Sequence, residues 1–89
     1  MKEVTINCRG FLSRFDLHRA LSDTLAFPDH YGNNLDALHD CLTEISMNTR
    51  ICLKNWTDAE ENLGRYACSV RRVILDAATE NTNLTVIFD

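Results

Sequence analysis

The feature that most constrains this chain is a short strand-like run that recurs three times in 89 residues, each separated from the next by helical sequence. Glu3–Cys8 alternates polar and apolar positions with β-branched residues, Arg50–Lys54 is apolar and partly β-branched, and Leu84–Phe88 is mostly apolar. Strands separated in this way need crossover connections, which favours a parallel arrangement. The expected architecture is α/β, one domain over residues 1–89: a small three-stranded parallel sheet packed with about four helices, the sheet buried on both faces or covered at its edge. A domain of this size hides only roughly 60–65% of its unfolded surface. It has one modest core and little room for an enclosed cofactor cavity, so binding at its surface is the natural mode of action.

The helical stretches carry their own punctuation. Ser13 reads as an N-cap with Asp16 as a shortened capping-box partner and Leu12 and Leu17 as a hydrophobic staple; Leu17, Leu21 and Leu25 continue that helix until Phe27-Pro28 ends it. Asp29–Asn33 is turn chemistry, and Asn34 caps a second helix from Leu35 to about Ile45. Thr57-Asp58-Ala59-Glu60 predicts a capping box opening a third helix. Tyr66, Val70, Val73, Ile74 and Ala77 mark the apolar face of a fourth, which Asn81-Thr82-Asn83 stops.

Charge is distributed unevenly. Between Ala20 and Thr49 lie Asp23, Asp29, Asp36, Asp40 and Glu44 and no Lys or Arg, a block of −5 within a chain of net charge −4. On the helix from Leu35, the apolar Leu35, Leu38, Leu42 and Ile45 gather on one face, and Asp36, Asp40 and Glu44 fall at i, i+4, i+8 on the other. Like charges at that spacing cost about 0.2–0.5 kcal/mol per pair, and no basic residue within the helix offsets them. The stripe is either a solvated polar face or a contact surface for a cationic site, and its single sign favours the second. Phosphate binding requires the opposite sign, so a protein partner is expected and direct nucleic-acid binding is not.

Catalytic signals are weak. An exposed stripe supplies no pocket to separate carboxylate pKa values, His39 and Cys41 beside Asp40 point in different directions, and His18 reads as a packed or rim histidine. No Gly-rich phosphate loop, serine elbow or zinc spacing is present, so no enzyme, cofactor or metal is expected. Cys8, Cys41, Cys52 and Cys68 form no C-x-x-C pair and are expected to be reduced, buried small hydrophobes. With no membrane-length apolar run and no signal-peptide pattern, the reading is a cytoplasmic chain, monomeric when free.

The stretch Tyr31-Gly32-Asn33-Asn34-Leu35-Asp36-Ala37-Leu38-His39-Asp40-Cys41-Leu42-Thr43 is similar to the Tyr-Gly-x-Asn-Leu-Asp-Ala-Leu-x-Asp-Cys-Leu-Thr segment of the barstar family of intracellular ribonuclease inhibitors. Asp16-Leu17-His18 and Leu84–Ile87 also match, and the order of elements agrees over essentially the whole chain. The resemblance implies a protein that plugs the active site of a basic bacterial ribonuclease. It implies that Asp40 occupies the enzyme's phosphate site with Asp36 as its companion, and that Gly32 and Asn34 form the loop leading into the helix with Thr43 and Glu44 at its far end. On the fourth helix Asp76 stands where the family has Glu, and Glu80 matches. His30 and His39 replace a contact Tyr and a Trp. A second reading, an acidic adaptor docking some other basic protein, stays open at this point.

Overall fold

In the computed structural model, which describes residues 1–89, the strand β1 (Lys2–Asn7) is followed by a 3-10 turn (Cys8–Gly10) and helices α1 (Arg14–Leu25) and α2 (Leu35–Thr43). Strand β2 (Thr49–Lys54), helices α3 (Trp56–Leu63) and α4 (Arg65–Glu80) and strand β3 (Leu84–Phe88) complete the chain. All strands are parallel in the order β1-β2-β3. The first strand therefore starts one residue earlier than expected and Cys8 belongs to the turn after it.

Register explains the layering. Val4, Ile51 and Val86 lie side by side, as do Ile6, Leu53 and Phe88, and these rows face the helices. The alternate rows, Glu3/Arg50/Thr85 and Thr5/Cys52/Ile87, form the outer face, where Arg50 Nη1 lies 3.6 Å from Glu3 Oε1. The sheet is thus covered on one face, not on both. Both crossovers step in the same direction along the sheet, and crossovers of a single hand then lay their helices on the same side. The apolar look of β3 reflects Leu84, Val86 and Phe88 on the inner face, with Ile87 only half-buried on the outer.

Local chemistry accounts for the element ends, with three departures from expectation. Ser13 Oγ accepts from Asp16 N–H at 3.2 Å, while the Asp16 carboxylate reaches back to Leu12 N–H at 3.1 Å, one residue before the cap. Leu12 is 73% exposed, so no staple closes over Leu17. Helix α3 begins at Trp56, behind a left-handed Asn55 and with no side-chain cap, so the Thr57 box does not form. Trp56, 3% exposed, sits with its ring edge against Phe88 at 5.0 Å between centroids, and burying that indole sets where the helix starts. Helix α2 stops at Thr43 rather than near Ile45, and at its end Asn81 Nδ2 donates to Leu42 O. Gly64, at φ +56° and ψ −127°, turns α3 into α4 through a conformation that a side chain disfavours.

The core joins Leu17 and Leu21 of α1, Leu38 and Leu42 of α2, Ile51 and Leu53 of β2, and Val70 and Ile74 of α4. Each is at most 2% exposed. The position of α2 between this core and solvent decides what its polar face can do.

Candidate functional site

The site is built on α2. Asn34 caps it: Oδ1 accepts from Ala37 N–H at 2.8 Å, and Nδ2 donates to Gly32 O at 3.2 Å, so one side chain holds both the first turn and the loop before it. A Cβ at Gly32 would stand 2.8 Å from Asn34 Nδ2, so a side chain there would shift the amide that bridges to Gly32 O. Leu38 and Leu42 are buried against α4, and Asp36, Asp40 and Glu44 are exposed on the far side. The stripe therefore exists in three dimensions as the periodicity required. None of its carboxylates has a Lys or Arg partner. Their field acts on Cys41, whose thiol pKa is raised by burial first and by Glu44 and Asp40 after it.

Helix α4 runs beside α2 in the same sense. Arg14, Asn33, Asn34, Leu35, Asp36 and Tyr66 line one shallow cleft at the start of both helices. At the other end Asn81 Nδ2 donates to Leu42 O and to Ile45 O, each at 2.9 Å, while Asn81 Oδ1 accepts from Asn83 N–H at 3.0 Å. Asn81, 8% exposed, thus satisfies carbonyls that a helix end leaves open. Between the two ends, His39 Nε2 hydrogen-bonds to Glu80 and Nδ1 lies 3.9 Å from Asp40 Oδ1. The structure accordingly brings His39, Asp40 and Glu80 together. Thr43 Oγ1 donates to Asp40 O at 3.0 Å, inside the helix end. Asp76 is exposed on α4 one turn before Glu80, and His30 is exposed in the turn before α2.

Under the loop is a group whose role the sequence did not reveal. His18 is fully buried, with Nδ1 2.6 Å from Tyr31 Oη and Nε2 2.6 Å from Tyr66 Oη. A neutral imidazole has one donor and one acceptor, so one tyrosine donates to it and the other accepts. Burial lowers the His18 pKa and raises those of both tyrosines, so desolvation keeps all three neutral. Tyr31 packs on Phe27 at 4.9 Å and Arg14 lies 4.4 Å above the Tyr66 ring. The histidine thereby ties α1, the loop before α2 and α4 at one point. Its place between Leu17 and Leu21 carried a signal, since a buried imidazole needs partners for both nitrogens. Asn81 carried none beyond its reading as a helix stop.

No group of three or more His, Cys, Asp or Glu could hold a metal ion, and no helix is long and apolar enough to cross a membrane. The largest cleft lies apart from the stripe, between α1 and the following turn, lined by Phe15, Arg19, Asp23 and Phe27 among others. The fold is a small parallel α/β domain that presents exposed carboxylates from a capped helix. Over residues 1–89 the chain matches the family described as Barstar (barnase inhibitor), and it belongs to that family. It is also 43% identical over 81 residues to a Bacillus subtilis (strain 168) protein named "Putative ribonuclease inhibitor YrdF", with 90% of this chain and 89% of that protein covered.

Proposed function

We propose that this protein is a non-catalytic inhibitor that binds a basic bacterial ribonuclease and blocks its active site, with α2 as a mimic of phosphate. The observation that carries this reading is the exposure of Asp36 and Asp40, one turn apart on a helix capped at both ends, without a Lys or Arg partner in the chain. A ribonuclease cleft holds phosphate with cations. A carboxylate on a rigid support replaces phosphate oxygens there and accepts charge-assisted, often bidentate, hydrogen bonds. Asp40 is the central mimic and Asp36 its companion. Gly32 and Asn34 shape the approach, His30 borders it, Thr43 and Glu44 lie at its far edge, and Asp76 extends it onto α4, where Glu80 is bonded to His39. The four unpaired cysteines accord with a reducing, cytoplasmic setting. A ribonuclease is the expected protein partner, the free inhibitor a monomer, and no cofactor takes part.

Titrated inhibition of barnase tests the reading. Asp40→Ala is expected to weaken inhibition by at least about 3 kcal/mol, because it leaves enzyme cations buried and unpaired. Glu44→Ala, at the exposed edge, is expected to cost less than about 1 kcal/mol. Equal losses would remove the phosphate-mimic assignment. Binding to basic proteins without inhibition would turn the preference to an adaptor.

A further inference from the structure

Among the acids of α2 and the last turns of α4, His39 is the side chain that can carry positive charge. Its ring sits between the helices, hydrogen-bonded through Nε2 to Glu80 Oε2 and turned with Nδ1 toward Asp40. An ionised carboxylate only accepts, so the proton in the Glu80 contact sits on Nε2. The side chain of His39 is 32% exposed against 58% for Glu80 and 77% for Asp40, so the ring covers one side of Glu80 and leaves Asp40 open. Neither Asp36 nor Asp76 has a side-chain partner of this kind. A guanidinium engages a carboxylate best when both oxygens are free to accept in parallel, and on Glu80 one oxygen is already taken. An incoming cation must displace the imidazole or accept a single contact.

We propose that His39 is a specificity-determining residue: by holding Glu80 it withdraws that carboxylate from the contact set, so that affinity for a basic ribonuclease rests on Asp36, Asp40 and Asp76. The inference rests on the inhibitor reading above. A ribonuclease that leads with a bidentate arginine opposite the end of α4 is disfavoured by this chain, and one whose cations converge on α2 is admitted.

Two double-mutant cycles test it, one with barnase and one on the free protein. In the wild-type background Glu80→Gln is expected to change the Kd for barnase by less than about threefold, and in the His39→Leu background by more than about tenfold. His39→Gln retains a donor to Glu80 and is expected to bring the effect of Glu80→Gln back within about threefold, with folding of every variant followed by its thermal midpoint. In the free protein the effects of His39→Leu and Glu80→Gln on the unfolding equilibrium are expected to depart from additivity by about twofold or more. A large loss from Glu80→Gln in the wild type, or equal losses in both backgrounds, overturns the inference while inhibition that depends on Asp40 leaves the inhibitor reading standing. Additivity in the free protein overturns the hold itself. Absence of inhibition by the wild-type protein across barnase and a panel of other basic bacterial ribonucleases overturns the inhibitor reading and the inference with it.

Discussion

Asn81 donates its side-chain amide to the carbonyl of Leu42 at 2.9 Å, so the residue that ends α4 also ends α2. The same amide reaches Ile45 O, and the whole side chain lies out of water. Asn81→Ala is expected to destabilise the fold by about 2 kcal/mol, because it leaves Ile45 O without its donor and Leu42 O with only long backbone contacts. Asn81→Asp keeps the shape but sets a carboxylate against carbonyl oxygens, and is expected to cost at least as much. Urea denaturation of the two variants checks this; an aspartate variant as stable as wild type would show that the amide donor contributes nothing.

His18 makes stability depend on pH. Its folded-state pKa lies below the ordinary histidine value, so as pH falls through about 6.5 the unfolded chain takes up a proton that the folded chain does not. The stability due to this group is complete above that pH and declines below it, by up to about 1.4 kcal/mol per pH unit, until the lower folded-state pKa is reached. The alkaline side has the opposite sign. Tyr31, Tyr66 and Cys8, the last pushed up to about 12, stay protonated in the fold where the unfolded chain would lose protons, so stability falls again as pH rises through their ordinary values. Urea midpoints across pH 5–11 should form a plateau with two shoulders, and His18→Gln should flatten the acid one.

The four cysteines are unpaired but not uniformly buried: Cys8 is enclosed, Cys41 and Cys52 are half-buried, and Cys68 is exposed on α4. Alkylation of the native protein without reductant should label Cys68 first and Cys8 last, since a thiol with a raised pKa and no access presents almost no thiolate. Mass spectrometry of the denatured protein should show four adducts. Any smaller number would reveal a disulfide.

Association with the ribonuclease should slow steeply as salt rises from about 50 to 500 mM, while dissociation changes much less. The field that steers encounter comes from the acidic block and is screened over roughly 8–10 Å at 0.10–0.15 M salt. Contacts formed after docking exclude water and are screened little. Stopped-flow rates decide the matter, and a flat association rate would mean that the stripe does not steer.

The parallel three-stranded sheet and the acidic stripe were legible in the sequence because each is periodic. Strands separated by helices must cross over, and residues four apart on a helix share a face whatever the helix packs against. Asn34 was legible as a cap for the same local reason. The single covered face of the sheet was not: it follows from the direction in which both crossovers step, which alternation within one strand leaves open. Nor did the start of α3 follow from Thr57, since burial of Trp56 outweighed a local capping signal. Only the packing of α2 on α4 decided that His39 meets Glu80, 41 residues away, and that Asn81 closes the end of α2. Only the meeting of α1, a loop and α4 set His18 between Tyr31 and Tyr66. Such pairings join polar groups far apart in the chain, leave no periodic trace, and form when the burial of apolar faces has already brought their elements together.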